Sequence, residues 1–302
     1  MPEYPDITVY IEALAARVRD RPLCGVRVVS PFLIRTYKPP LDTLIGMRVV
    51  RLKRVGKRIA FGFEGDRWLV LHLMIAGRLH WKDAGASSKA RSHLAAFDFE
   101  NGTLTLTEAG TKRQAAIHIF DSEAGIAAID PGGLEVFSAT IGEFRARLTA
   151  SNHTLKRALT DPHILSGIGN AFSDEILLHA RLSPVALTRK LDDAQIVRLF
   201  DSIKDRLTFF TDLLRAQCSG GFPEKVTAFR PEMAAHGKFK QPCPQCSTPI
   251  QRIVHASNES NYCPACQTGG KLLADRALSR LLGKDWPKTL EEMELRASRQ
   301  RE

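Results

Sequence analysis

The sequence contains no apolar run that approaches the eighteen or so residues needed to span a bilayer, which argues against a membrane-spanning protein. Its first residues lack the basic start of a secretory signal and carry Glu3 and Asp6 instead. No internal repeat or low-complexity stretch is present. Cysteine is scarce, and nothing else in the sequence points to an oxidising compartment. These absences leave an intracellular globular protein in a reducing environment, with no membrane partner.

The composition favours a polyanionic partner. With 302 residues, 44% of them apolar, the chain is long enough for two domains and a small accessory module. Lys and Arg number 43 against 33 Asp and Glu, which gives a net charge of +10, and basic residues cluster in RLKRVGKR, Arg51 to Arg58. Nucleic acid is the first candidate for such a surface, and a merely solvated basic face is the alternative.

Four of the six cysteines have the spacing of a zinc site. Cys243 and Cys246 form one C-x2-C pair, and Cys263 and Cys266 form the second, sixteen residues later. Two such knuckles place four thiolates at tetrahedral corners. Two disulfides would need an oxidising compartment, and a redox motif would need one pair beside a βαβ unit. We therefore predict one structural zinc ion that holds a β-hairpin, with no open position for catalysis.

Periodicity predicts an α+β multidomain chain. Ile7, Ile11, Leu14 and Val18 recur at helical spacing after Asp6, so a helix leads the chain. Short apolar or alternating runs follow up to Phe120 and predict an antiparallel β-sandwich, and helical patterns then precede the zinc ribbon. The predicted segments are an N-terminal β-sandwich catalytic domain (1–129), a linker (130–140), a helical domain (141–238), a zinc ribbon (239–270) and a C-terminal extension (271–302).

The segment SGIGN in the helical domain has two readings. Gly167 and Gly169 allow tight turns and expose backbone amides near Asn170, a geometry suited to gripping a phosphate. An ordinary glycine helix cap would produce the same pattern. The residues alone leave both readings open.

Several motifs together resemble formamidopyrimidine-DNA glycosylase and endonuclease VIII. MPEYPDI, VGKRI, HLMIAG, LTDPHILSGIGNAFSDEIL, HGKFKQPCPQC and NYCPACQ occur in the order and at roughly the spacing of that family, from residue 1 to about 267. The resemblance implies a DNA repair enzyme that removes a damaged base and then nicks the abasic strand. It also implies that SGIGN lies in a helix-two-turn-helix element, and that the chain is a bacterial-type, nucleoid-associated cytoplasmic monomer.

The resemblance assigns the chemistry to the amino terminus. After removal of Met1, the amine of Pro2 attacks C1′ of the damaged nucleotide, and the resulting iminium undergoes β- and then δ-elimination. A terminal amine has an ordinary pKa near 7.7 to 8, so part of it is neutral and nucleophilic at neutral pH. Glu3 is the implied general acid/base, and Lys57 matches a lysine beside the lesion phosphate.

The resemblance also implies a set of DNA contacts. Ile75 aligns with an apolar wedge that fills the gap left by the flipped nucleotide, although Met74 is adjacent to it. The implied contacts are His72, Ile75, Lys112, Arg113, Lys156, Gly169, Asn170 and Asn258.

Two departures from the family pattern keep other functions open. The sequence TEAGTKRQAA stands where the family has a signature that supplies an arginine and an aromatic residue. Lys112 or Arg113 therefore has to take the place of that arginine. Asn258 stands where the family has an arginine, and an amide cannot form a charged bidentate clamp. We predict a bifunctional glycosylase and abasic-site lyase. The alternatives are a damage-binding protein or a lyase without base excision on the same scaffold and, less favoured, a zinc-ribbon adaptor for RNA or protein.

Overall fold

The computed structural model describes residues 1–86, 90–110, 112–255, 258–274 and 280–299. They form two compact units, Met1–Gly133 with Leu207–Ala228, and Leu134–Arg206 with Phe229–Glu302. Among the described residues, none of the helices is both long and apolar enough to cross a membrane. The segment boundaries drawn from the sequence stay a prediction. Residues 275–279, inside the helix-like sequence LLADRALSRLL, lie outside the described residues.

The first unit contains eight strands in two antiparallel sheets. The strand bounds are β1 Leu23–Val28, β2 Val49–Val55, β3 Arg58–Phe63, β4 Arg67–His72, β5 Gly77–Lys82, β6 His93–Phe99, β7 Gly102–Glu108 and β8 Ala116–Phe120. One sheet has the order β1-β6-β7-β5 and the other β2-β3-β4-β8. The sequence of β5, GRLHWK, begins with glycine and arginine and carries few apolar residues, so it gives only a weak strand pattern.

A single apolar core joins both sheets and the leading helix. Helix α1 (Tyr4–Val18) contributes Ile7, Tyr10 and Leu14, which are fully buried against core residues of both sheets. Alternating side chains of a strand face opposite sides, so each sheet turns one apolar face to this core. The predicted antiparallel sandwich with a leading helix is confirmed.

The second unit contains short helices and the zinc hairpin. Its elements are α2 Ile141–Thr149, α3 Leu155–Thr160, α4 Asn170–His179, the start of α5 Asp193–Cys218, β9 Gln251–His255, β10 Asn258–Tyr262, α6 Pro264–Thr268 and α7 Leu290–Arg299. From Leu207 onwards, α5 belongs to the first unit. Helices α3 and α4 flank a two-turn segment in which Gly167 has φ +82°, a conformation that glycine adopts without strain. The predicted helical region is confirmed.

Candidate active site and nucleic-acid interface

The amino terminus is held rigidly at the start of α1. Pro2 and Glu3 are both buried, and Glu3 is only 3% exposed. The backbone N–H of Glu3 donates to Asp6 Oδ2 at 2.9 Å, which closes the first turn of the helix. Pro5 lies in that first turn, where its fixed φ suits a helix start. The sequence therefore fixes the Glu3 carboxylate and the amino-terminal end of the chain in place at the start of α1.

Burial of this terminus favours a neutral amine. Burial lowers the pKa of the Met1 amine below 8.0; the cations Arg78 and Lys57 lower it further, whereas Glu3 and Asp6 oppose them. Burial also lowers the pKa of Lys57, and Glu3 opposes that shift. Lys57 lies in the turn between β2 and β3. The structure thus gathers an amine, a carboxylate and a lysine in one electrostatic environment, which is what amine nucleophilic catalysis needs.

His72 is a neutral group at the end of β4. It pairs with Arg58 on β3 and with Ala116 on β8. Burial lowers its pKa to about 4, and the cations Arg58 and Lys57 add to the effect. At neutral pH the ring of His72 is therefore uncharged. The predicted phosphate contact remains a prediction, and its form would be a neutral hydrogen bond.

The turn before β5 presents one apolar side chain to solvent. Ile75 is 62% exposed, whereas Leu73 is buried in the core. The N–H of Gly77 donates to the Leu73 carbonyl at 2.9 Å, and Met74 has φ +51°. Of the two candidate wedges, Ile75 is therefore the more exposed, and Met74 is half-buried.

The segment after β7 carries two exposed cations. Lys112 and Arg113 are both exposed, and Arg113 donates to the carbonyl of Arg91. The buried carboxylate of Glu108 anchors the end of the segment by accepting the backbone N–H groups of residues 114 and 115 at 2.9 to 3.0 Å. Thr111 lies outside the described residues. The two cations are available for phosphate contact, which stays a prediction.

In the second unit, the side chain of Lys156 is committed to a buried carboxylate. Its ammonium donates to Asp174 Oδ1 at 2.5 Å and to the carbonyl of Asn170 at 2.7 Å. Asn170 opens α4 and is half-buried, and Gly169 is buried at the N-cap. The amides of this helix start suit an anion. The ammonium of Lys156 therefore binds two groups of α4 itself, so its predicted contact with DNA needs a separate test.

Asp174 and Glu175 join α4 to the zinc-bearing part of the chain. The second oxygen of Asp174 accepts from His236 at 2.8 Å and from Asn261 of β10 at 3.2 Å. Glu175 accepts three backbone N–H groups from residues 234–236, each at 2.9 Å. This network was not predicted from the sequence. The available signal was a pair of adjacent carboxylates inside the otherwise apolar run of AFSDEILL, because buried acids require partners.

The four predicted zinc ligands converge. The sulfur atoms of Cys243, Cys246, Cys263 and Cys266 all lie within 4.8 Å of one another. Three of the sulfur pairs are 3.4 to 4.0 Å apart, too far for a disulfide and suited to four thiolates around one ion. Strands β9 and β10 form the hairpin between the two cysteine pairs.

The hairpin places Asn258 at the start of β10, paired in register with His255. The side chain of Asn258 lies outside what the structure describes. Arg252, the nearest arginine on β9, is held over the ring of Phe239 at 4.4 Å and pairs with Glu259 at 3.2 Å. Arg252 is therefore engaged within the hairpin region.

Three family models match successive parts of the chain. The formamidopyrimidine-DNA glycosylase N-terminal domain matches residues 1–116, its H2TH domain matches 133–210, and a zinc finger found in FPG and IleRS matches 240–269. Formamidopyrimidine-DNA glycosylase of Thiobacillus denitrificans is 31% identical over 280 residues, which cover 88% of this chain and 100% of that protein. The chain belongs to the formamidopyrimidine-DNA glycosylase family.

Other comparisons agree with this assignment. Formamidopyrimidine-DNA glycosylase of Heliobacterium modesticaldum is 29% identical and covers 88% of this chain and 100% of its own length. A crystallised complex between Lactococcus lactis Fpg and DNA containing an abasic site has the same fold, with a TM-score of 0.78, 22% identity and coverage of 88% and 99%. The predicted resemblance and the single structural zinc are confirmed. This member of the formamidopyrimidine-DNA glycosylase family is a DNA-binding DNA glycosylase.

Proposed function

We propose that the chain is a bifunctional DNA glycosylase and abasic-site lyase that works through the amine of Pro2. The observation that carries the proposal is the buried cap that holds Pro2 and Glu3, where burial lowers the pKa of the adjacent Met1 amine although Glu3 opposes the shift. Removal of Met1 gives Pro2 a secondary amine. Such an amine is a stronger candidate nucleophile than a lysine, whose ordinary pKa is near 10.4.

The proposed first step is displacement of the base. The lone pair of the Pro2 nitrogen attacks C1′, the bond between C1′ and the base breaks, and the base leaves with a proton. The C1′–O4′ bond then opens, O4′ takes a proton, and the nitrogen and C1′ form an iminium. Glu3 is the proposed proton donor and acceptor in these steps, because it is the buried carboxylate beside the amine.

Elimination follows from the iminium, which acidifies the C2′ proton. Loss of that proton expels the 3′ phosphate, and a second proton loss from C4′ expels the 5′ phosphate. Hydrolysis of the remaining iminium releases the sugar fragment and restores the amine. Lys57 is half-buried, and the charge of Glu3 opposes the lowering of its pKa by burial. Lys57 is the proposed contact to the phosphate beside the lesion.

DNA is the proposed partner, bound by a monomer in the cytoplasm near the nucleoid. The basic net charge of +10 supports this partner. Ile75 is the proposed wedge because it projects 62% exposed from a tight turn. Lys112, Arg113, His72, Asn170 and the amide of Gly169 are the proposed polar contacts.

Borohydride trapping tests the proposal. The protein, with removal of Met1 checked by mass, is incubated with duplexes and single strands that carry an abasic site, 8-oxoguanine or an oxidised pyrimidine. We expect a covalent adduct that maps to Pro2. Pro2→Gln, whose larger second residue retains Met1, displaces the amine and should give no adduct while it still binds DNA. Pro5→Ala is the matched control and should trap normally.

The substrates separate the competing functions. An adduct with abasic DNA and none with either damaged base would support a lyase without base excision. No adduct on any substrate, together with tight binding, would support a damage-binding protein and overturn the proposal. Since Asn258 replaces a charged clamp with an amide, the strength of binding should be measured across salt concentrations as well.

A further inference from the structure

Residues 219–228 run along the free edge of β5. β5 is the last strand of its sheet, so one of its edges has no neighbouring strand in the described sheet order. Glu224 accepts the backbone N–H of Trp81 at 3.2 Å and is hydrogen-bonded to the ring of His80. The carbonyl of Val226 accepts from Arg78 Nε at 2.6 Å. Side chains of β5 thus hold this segment at two successive points.

The segment is also anchored through its apolar side chains. Phe222 packs on the ring of Tyr10 with centroids 5.7 Å apart, and the guanidinium of Arg17 lies 5.5 Å from the Phe222 centroid. Val226 is 7% exposed and belongs to the main core of the first unit. Residues 219–228 therefore form part of the ordered unit that contains the amino terminus.

Arg78 binds this segment and the Ile75 turn at the same time. Besides the Val226 carbonyl, its Nη1 donates to the carbonyl of Gly77 at 2.7 Å and to that of Ile75 at 3.2 Å. The Val226 carbonyl lies 148 residues along the chain from Arg78, whereas the other two acceptors are its close neighbours in sequence. A planar guanidinium spreads five N–H donors over three nitrogen atoms and so reaches acceptors in both segments, whereas the three donors of a lysine ammonium all lie on one nitrogen, which would have to approach both segments at once.

We propose that Arg78 is a positioning residue that couples the Ile75 turn to residues 219–228, so that wedge insertion and enclosure of the flipped base occur together. The coupling is read directly from three hydrogen bonds and does not depend on any activity. Its meaning for catalysis rests on the proposed function.

The surroundings of Arg78 agree with this role. Its charge acts on the amine at the chain terminus and lowers the pKa of that amine, in addition to the effect of burial. It also acts on the hydroxyl of Tyr10, the ring against which Phe222 packs. Arg78 therefore lies close to the proposed nucleophile and to both segments that it joins.

Hydrogen exchange of the free protein tests the coupling without DNA. In Arg78→Ala, amides of residues 73–77 and of 219–228 should both exchange about tenfold faster, the effect of losing one or two net hydrogen bonds from each segment's tether. Arg78→Lys should protect one of the two segments at most. Arg48→Ala removes a matched arginine-to-carbonyl bond, to Asp20 at 2.9 Å, and should leave both segments unchanged. Unchanged exchange in Arg78→Ala, or a change confined to one segment, would overturn the coupling.

Single-turnover kinetics test its role in the reaction. Arg78→Ala should slow excision of a damaged base at least about tenfold, because misplacing a binding element costs alignment of the reacting atoms. Cleavage of a preformed abasic site, which has no base to enclose, should fall by less than about threefold under the same reasoning. Equal excision by Arg78→Ala and the wild type would overturn the role while leaving the proposed function intact. A wild type that excises nothing would overturn the proposed function, and hydrogen exchange would still decide the coupling.

Discussion

Replacing Lys156 with methionine separates two roles for this residue. The structure pairs its ammonium with Asp174 at 2.5 Å, and the two side chains are 14% and 0% exposed. Removing one partner of a buried ion pair costs roughly 3–5 kcal/mol, because the remaining charge is uncompensated. Asp174 keeps bonds to His236 and Asn261, so we expect the low end, about 3 kcal/mol. For a unit of this size the melting temperature should fall by roughly 6–12 °C.

A thermal melt, monitored by circular dichroism, measures the loss of stability. DNA binding at several salt concentrations tests the alternative role of Lys156 as a phosphate contact. If Lys156 mainly contacts phosphate, Lys156→Met would reduce the slope of log affinity against log salt by about 0.9 and leave the melt unchanged. Arg157→Met is the matched control, since Arg157 is exposed on the same helix. A melting temperature within about 3 °C of the wild type, equivalent to roughly 1 kcal/mol, would refute the ion-pair reasoning.

Three further changes have defined outcomes. His72 should titrate near pH 4 by NMR; because its folded pKa lies below the ordinary 6.5, the unfolded chain takes the proton first, and stability is lost as pH falls from 6.5 towards 4. A midpoint above 6 would contradict the burial argument. Chelation should remove one zinc per chain, measured by atomic absorption, and should disorder β9 and β10 and weaken DNA binding; full binding by metal-free protein would count against a structural role. Gly77→Ala would place a Cβ 2.2 Å from the carbonyl oxygen of Leu73, so it should lower the melting temperature and displace Ile75, an effect absent if the turn relaxes freely.

Local sequence patterns predicted the zinc site and the layer order well. Cys243 and Cys246 lie three residues apart, and so do Cys263 and Cys266, so their geometry depends on short turns that the sequence itself specifies. Short apolar or alternating runs likewise predict the strands of the sandwich. These features need no knowledge of distant contacts, and the structure confirms them.

Long-range polar contacts could not be predicted in this way. Arg78 reads as one more cation in a basic chain, and its role depends on a carbonyl 148 residues away. Asp174 and Glu175 lie on α4, which is buried on nearly every side, and both carboxylates find partners far along the chain. Two adjacent acids in an apolar run indicate that buried partners exist. Which residues those partners are is set by tertiary packing, and local spacing does not show it.

Two departures from the family pattern make the Ile75 turn and residues 219–228 more important for holding a flipped nucleotide. The stretch around Lys112 and Arg113 has no aromatic, and Asn258 cannot supply a charged clamp. Fewer groups are then left to stabilise a flipped nucleotide, whose unstacking costs a few kcal/mol. Since the Ile75 turn and residues 219–228 are joined through one guanidinium, both should contribute to that stabilisation as a unit. Lesion preference in this chain is therefore expected to respond more to Arg78 and residues 219–228 than to the residues that make phosphate contacts.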